Sequence, residues 1–160
     1  MKRQIKPWSC GRAVVRNVLR VFDIKTTEAC IQTYTKSTKH KGTDQDDIIT
    51  AIWGHSLDCS EISFNDPDVA WFWLHNTLTQ GLPVILCVEN WEHWVSAIGS
   101  LGDTGIAVFD SSNFKNNTSE CGTHIWNYDK FRHKIYNDRK NLEDASDFKG
   151  RIYAISVWKE

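Results

Sequence analysis

The stretch Gly81-Leu82-Pro83-Val84-Ile85-Leu86-Cys87-Val88 marks a change in the hydrophobic pattern of the chain. Its last five residues form an unbroken apolar run, which is typical of a strand buried on both faces. Upstream of it, apolar residues recur at helical spacing, whereas the segments downstream have the pattern of strands. This order, with helices first and an antiparallel sheet afterwards, predicts an α+β fold.

Two helices are predicted near the amino end of the chain. The stronger one covers residues 10–22, where apolar side chains fall on one face at helical spacing. An opposite polar stripe consists of Arg12, Arg16 and Arg20. A second, shorter helix is predicted at about 26–34.

Two further helices are predicted before the apolar strand. Thr43 is expected to cap the first of them, because Asp46 three residues later completes a pattern like a capping box, and Gly54 is expected to end it. The second is expected to begin with Asp66 as its N-cap and Pro67 at the first helical position. Its predicted apolar side consists of Val69, Phe72, Trp73 and Leu78.

The rest of the chain predicts the remainder of the sheet. Segments 94–98 and 105–109 predict two strands joined by a glycine-containing turn at 101–104. Residues 128–136 fit a short helix or a turn, and residues 152–158 alternate in the manner of a final strand. No internal repeat or linker divides the 160 residues, which therefore predict a single domain.

Composition argues against several classes of function. The net charge is −1, so broad electrostatic binding of nucleic acid or of an anionic membrane is not expected. No apolar run has the length of a membrane span or the form of a secretion signal, and a cytoplasmic location is expected. The five cysteines form an odd, widely spaced set, which favours free thiols over disulfides or a zinc site. No metal and no other cofactor is expected.

Cys10 is the best candidate for a nucleophile among the five cysteines. It lies where the first helix begins, and a helix amino end favours the negatively charged thiolate, which is the reactive form. Gly11 beside it would permit the close approach of a substrate backbone. The alternative is a buried structural thiol at a helix start. Cys87 lies inside the apolar strand and is expected to belong to the core.

His93 is the best candidate for the base. It precedes the strand at 94–98, and Asp110 ends the strand that follows. In an antiparallel hairpin the start of one strand lies beside the end of the next, so the two side chains can meet, and the carboxylate would orient the imidazole. The side-chain amide of Gln4 could join the backbone N–H of Cys10 in an oxyanion hole. Taken singly, the three residues could equally be a loop histidine, a turn aspartate and a surface glutamine.

An ordered set of features spans nearly the whole chain: Gln4 six residues before Cys10-Gly11, Gly42-Thr43 at a helix start, the strand start at 81–85, His93-Trp94-Val95, and a strand ending at Asp110. In this order the chain resembles the papain-like cysteine peptidases. Within them it is most similar to the C39 group, small domains that cleave after double-glycine leaders. One departure is Ser9, since the family often has aspartate before the cysteine.

The resemblance implies a fold in which helices pack on an antiparallel sheet, with the active site in the cleft between them. It implies Cys10 as the nucleophile and His93 as the general base and acid. It also implies that Asp110 orients the imidazole and that Gln4 donates to the oxyanion.

The predicted activity is thiol-dependent hydrolysis of a peptide or isopeptide-like amide through an acyl-enzyme, with a peptide or protein as the substrate. Trp8, Trp91 and Trp94 surround the predicted cleft in sequence and are expected to contact the substrate. Two alternatives remain: a catalytically inert scaffold that binds a peptide, protein or small ligand, and an acyltransferase that uses the same triad. The sequence indicates no particular oligomeric state.

Overall fold

The structure, a computed structural model, describes residues 9–39, 41–89, 92–111, 122–136 and 152–160. The elements in chain order are α1 (Cys10–Val21), α2 (Glu28–Gln32), α3 (Gln45–Trp53), β1 (Asp58–Phe64), α4 (Pro67–Thr79), β2 (Val84–Val88), β3 (His93–Ser100), β4 (Ile106–Phe109), β5 (Thr123–Trp126), α5 (Tyr128–Tyr136) and β6 (Ile152–Trp158). Within these ranges the strands form one six-stranded sheet in the order β1-β6-β2-β3-β4-β5. Every neighbouring pair is antiparallel.

The strand β2 lies inside the sheet, and all five of its residues are buried. Ile85 and Cys87 belong to a core formed with α1 and α3. Val84, Leu86 and Val88 belong to a second core formed with α4 and α5. The predicted α+β fold is therefore confirmed, as is the prediction that this strand is buried on both faces.

Helix α1 turns part of its polar stripe toward α2. The guanidinium of Arg12 donates from Nη1 to Gln32 Oε1 at 2.7 Å. Arg16 Nη1 lies 2.8 Å from Glu28 Oε1, and both side chains of this ion pair are buried. The predicted polar stripe thus exists, but Arg12 and Arg16 lie against α2. Helix α2 itself is shorter than the helix predicted at 26–34.

Helix α3 begins at a different cap from the one predicted. The N-cap is Asp44, whose carboxylate accepts a hydrogen bond from the backbone N–H of Asp47 at 2.9 Å. The prediction of Thr43 as the cap was wrong. The next residue, Asp44, accepts from the N–H three residues after it, and it makes the capping bond instead. Gly54 follows the last helical residue, as predicted.

Helix α4 begins as predicted and buries part of the predicted face, since Leu78 is buried and Trp73 packs against the core. Its N-cap is Asp66 and its first residue is Pro67. Val69 and Phe72, which were predicted to face the core, are 53% and 69% exposed. The buried side follows a spacing of about four residues and consists of Ala70, Leu74, Thr77 and Leu78.

The sequence pattern does not predict the two edge strands, β1 and β5. Each pairs with a single neighbour, β1 with β6 and β5 with β4. None of the seven residues of β1 is fully buried, so the apolar alternation that reveals a half-buried strand is weak there. The predicted strands are present as β3, β4 and β6, and residues 128–136 form the helix α5.

Candidate active site

Helix α1 presents Cys10 at its amino end. The first intrahelical hydrogen bond runs from the N–H of Ala13 to the carbonyl of Ser9 at 2.9 Å. The N–H groups of the preceding first-turn residues therefore have no acceptor within the helix, and such groups attract negative charge. The Cys10 side chain is 9% exposed and belongs to the core between α1 and the sheet. Cys10 is thus a nearly buried thiol at a positive helix end.

His93 and Asp110 lie together on the hairpin that packs against α1. His93 is the first residue of β3, and Asp110 directly follows β4, its antiparallel neighbour. His93 Nε2 lies 2.7 Å from Asp110 Oδ1, and both side chains are buried. His93 also hydrogen-bonds the side chain of Cys10. Since Nε2 is engaged by the carboxylate, Nδ1 is the ring nitrogen available to the thiol.

The three groups shift each other's protonation in the directions that favour an ion pair. Burial alone would raise the pKa of Cys10, but the hydrogen bond and charge of His93 outweigh it, together with backbone amides of Trp94 and Gly11, and the pKa is lowered. Burial alone would lower the pKa of His93, yet hydrogen bonds and charge from Asp110 and Cys10 raise it to about 10. Both shifts favour a thiolate paired with an imidazolium over a neutral thiol and imidazole.

The other described cysteines lack these partners. Burial raises the pKa of Cys87, and the nearby Cys10 adds to the effect. Burial and the charges of Asp58 and Glu61 raise the pKa of Cys59 to about 11. Cys30 is exposed and free. The pKa of Cys10 is thus lowered, whereas those of Cys59 and Cys87 are raised.

The structure gives a reason for glycine at position 11 that the sequence did not indicate. A Cβ added at Gly11 would lie 2.5 Å from Cβ of Thr43, far inside van der Waals contact. Glycine is therefore needed so that the segment before α3 can pack against α1. The structure gives Gly11 this packing role, and its predicted contact with a substrate backbone stays a prediction.

The Trp94 side chain does not form the exposed anchor predicted for it. Its indole is buried, its Nε1 donates to the carbonyl of Thr43 at 2.9 Å, and its ring lies edge-on to Tyr153. As the second residue of β3, Trp94 packs in the core that β3 shares with α1. Trp94 therefore fastens the start of α3 to the sheet.

Three predicted site residues lie outside the described residues: Gln4, Trp8 and Trp91. Their assignment to the oxyanion hole and to substrate contacts stays a prediction from the sequence.

A buried polar contact beside the nucleophile was missed by the sequence analysis. The hydroxyl of Ser9 donates to Glu28 Oε2 at 2.8 Å, and both residues are buried. The local pattern marks Glu28 only as an acidic residue in the first turn of α2, which is a common position. Its contact with Ser9 arises from the packing of α2 on α1, which the local pattern does not encode.

The described residues contain no cluster of three or more histidine, cysteine, aspartate or glutamate side chains that could hold a metal ion. In the same part of the chain, no helix combines the length and the apolar character that a membrane crossing requires.

No family model matches the sequence, and no curated protein does either. Several solved structures are similar in fold. One is a double-glycine-motif protease from an AMS/PCAT transporter in complex with the leader peptide (TM-score 0.65, 14% identity, covering 96% of this chain and 88% of that one). A second is the peptidase domain of Streptococcus ComA, a bifunctional ABC transporter involved in quorum sensing (TM-score 0.68, 18% identity, covering 99% and 97%).

A third is the structure of a Bacillus anthracis protein described as a C39-like peptidase (TM-score 0.64, 11% identity, covering 100% of this chain and 94% of that one). The similarity extends over nearly the full length of each chain, while the sequence identity is low. It therefore establishes the arrangement of helices and strands. The chain has the fold of the papain-like C39 peptidase domains.

Proposed function

We propose that this chain is a cysteine peptidase-like hydrolase that cleaves a peptide or isopeptide-like amide through an acyl-enzyme. The observation that carries the proposal is the contact chain from Cys10 through His93 to Asp110, with the thiol pKa lowered and the imidazole pKa raised. A nucleophile, a base and an orienting carboxylate in contact are the groups that acyl transfer by a thiol requires.

In the proposed reaction the Cys10 thiolate attacks the substrate carbonyl carbon and forms a C–S bond. The oxyanion is held by the backbone N–H of Cys10 and by the side-chain amide of Gln4. The His93 imidazolium gives its proton to the leaving nitrogen as the C–N bond breaks, which leaves a thioester and a neutral imidazole. His93 then takes a proton from water as the water attacks the thioester, and the acid product leaves with the thiolate regenerated.

Asp110 keeps the imidazole in one orientation throughout the cycle. Because its carboxylate engages Nε2, the nitrogen that exchanges protons with Cys10 and the substrate is Nδ1. Its negative charge also stabilises the imidazolium that exists before attack and after deacylation. The carboxylate acts through His93 in both respects.

The proposed substrate is a peptide or protein segment, and the proposed location is the cytoplasm. The support for a peptide is the fold, since one neighbour was solved with a leader peptide bound, and the pair of tryptophans Trp8 and Trp91 near the site in sequence. If an amine replaces water as the acceptor, the same steps transfer the acyl group instead. Turnover with and without added amines separates these two outcomes.

The test is brief alkylation with limiting iodoacetamide at several pH values, followed by mass spectrometry to locate the modified cysteine. We expect Cys10 to react selectively at pH values below those at which exposed Cys30 reacts, and the selectivity to be lost in His93→Ala. Selective labelling would be followed by a peptide-substrate screen with Cys10→Ala as the inactive control. Labelling of Cys10 no faster than Cys30 would favour the inert binding scaffold.

A further inference from the structure

The hydroxyl of Ser9 does not do what a serine at its position usually does. Ser9 is the N-cap of α1, and an N-cap serine commonly accepts a hydrogen bond from an N–H in the first turn of its own helix. In this structure no such side-chain capping bond forms. The hydroxyl instead donates to Glu28 Oε2, on α2, at 2.8 Å. The first turn of α1 is therefore left uncapped by its own N-cap side chain.

Glu28 is held firmly in the place from which it accepts this bond. Its side chain is 3% exposed, and its second oxygen, Oε1, lies 2.8 Å from Arg16 Nη1 on α1. A buried carboxylate paired with a buried guanidinium has little freedom to move, since separating them would leave an uncompensated charge. The Ser9 hydroxyl is the donor in this bond, and the bond holds the side chain in the conformation that makes no capping contact with its own helix.

We propose that Glu28 is a positioning residue for the nucleophile: by holding the Ser9 hydroxyl, it keeps the first-turn N–H groups of α1 available to the sulfur of Cys10 and to the oxyanion. The inference rests on the proposed function, since it takes Cys10 as the nucleophile. The backbone amide of Gly11 is one of these groups and already hydrogen-bonds the sulfur. A Ser9 oxygen turned to the helix end would compete for the same N–H groups.

Glu28 acts through Ser9 and not by touching the thiol. The ionisable group that acts on Cys10 from the elements packed against α1 is His93 on β3, with Asp110 behind it, while Cys87 on β2 is itself affected by Cys10. All three stay in place when Glu28 is replaced. We expect a change at Glu28 to reach Cys10 through the Ser9 hydroxyl that Glu28 Oε2 holds, and we expect removal of that hydroxyl to cancel it.

The experiment replaces the ion pair by apolar side chains of similar volume, in the double variant Arg16→Met with Glu28→Met. Replacing both partners avoids a lone buried charge, and such replacements often retain the fold. The hydroxyl of Ser9 then has no carboxylate and turns to cap α1. We expect alkylation of Cys10 at acidic pH to be about tenfold slower, the size of effect that one lost hydrogen bond to a charged group produces.

Adding Ser9→Ala to this double variant removes the competing hydroxyl, and we expect the alkylation rate to return to the wild-type value. The matched control is Gln32→Met, which removes the contact between α2 and Arg12 without touching Ser9. It should leave the pH profile of Cys10 unchanged. Cys30 serves as the internal reference in every variant, and circular dichroism spectra check that each variant is folded.

The outcomes separate this inference from the function on which it rests. A slow double variant that Ser9→Ala restores supports the positioning role, because general loss of packing would not be reversed by a further truncation. A reactive wild-type Cys10 with an unchanged double variant, or with no restoration by Ser9→Ala, overturns the role and leaves the proposed hydrolase intact. A wild-type Cys10 that reacts no faster than Cys30 overturns both.

Discussion

Cys10 and Cys87 lie in the same core, 9% and 5% exposed, yet their acidities are shifted in opposite directions. Burial raises the pKa of Cys87, as it does for any thiol whose charged form loses its water. Burial acts in the same direction on Cys10, but there the net pKa is lowered. Since the two thiols are similarly buried, the opposite pKa shifts come from the groups that surround each sulfur.

Cys87 is the fourth of the five residues of β2, an inner strand whose backbone pairs with β3 on one side and β6 on the other. Cys10 is at the start of α1, where first-turn N–H groups lack helical acceptors and His93 supplies a positive charge. The comparison shows that a helix end next to a histidine lowers the pKa of a nearly buried thiol, whereas an inner strand of the sheet leaves the effect of burial uncompensated.

The largest expected effect comes from His93→Ala, which would make Cys10 resemble Cys87. Without the imidazolium, the effect of burial dominates, the pKa of Cys10 rises, and the fraction of thiolate at a given pH falls. Turnover should fall by at least about 100-fold, the smaller end of what a general base contributes. Initial rates and the pH profile of Cys10 alkylation measure both consequences. Wild-type alkylation in this variant would mean that His93 does not activate the thiol.

A smaller effect is expected from Asp110→Asn. The amide oxygen can still accept a hydrogen bond from Nε2, but the negative charge is gone, so the pKa of His93 falls below its value of about 10. The imidazolium is present only below that pKa. The alkaline limb of the activity profile should therefore move to lower pH, with turnover at neutral pH reduced roughly tenfold.

The pH profile of activity, measured to the alkaline side, checks the prediction for Asp110. Asp110→Ala, which removes the acceptor as well as the charge, should lose more activity than the asparagine variant. Equal losses in the two variants would indicate that the hydrogen bond contributes little and the charge provides the whole effect. An alkaline limb that does not move would contradict the coupling of the two groups.

Gly11→Ala separates the packing of the helix end from its chemistry. The added methyl would meet the Thr43 side chain at 2.5 Å, so α1 and the segment before α3 must move apart. We expect a loss of about 1–3 kcal/mol in the free energy of unfolding, as overpacking typically causes. The control is Gly99→Ala, since a Cβ at Gly99 meets nothing within 4 Å. Urea titrations that rank the two variants equally would refute the close contact.

The sequence predicts those parts of the molecule whose pattern is local. The sequence predicts β2 because a strand buried on both faces has an unbroken run of apolar residues. It predicts α1 because a helix buried along one side has apolar residues at helical spacing. The contact between His93 and Asp110 followed from the hairpin, because pairing the strands fixes which ends meet. The catalytic roles of these residues stay predictions.

The features that escaped the sequence analysis depend on contacts between elements distant in sequence. Glu28 contacts Ser9 and Arg16 because α2 packs on α1, and the residues around Glu28 in sequence do not indicate these contacts. Trp94 was expected at a cleft because it neighbours His93, but its indole fills the space between β3 and the start of α3. Strand β1 has one partner and little burial, so its residues carry a weak alternation.

The smallest expected effect is that of Cys87→Ala on the reactivity of Cys10. Because its pKa is raised, Cys87 stays an uncharged thiol at neutral pH and places no charge beside Cys10. The substitution removes one buried sulfur and should cost about 1 kcal/mol in the free energy of unfolding. The alkylation profile of Cys10 and the turnover should match the wild type. A shifted profile would show that the two sulfurs are coupled, and the contrast between them would then belong to one joined site.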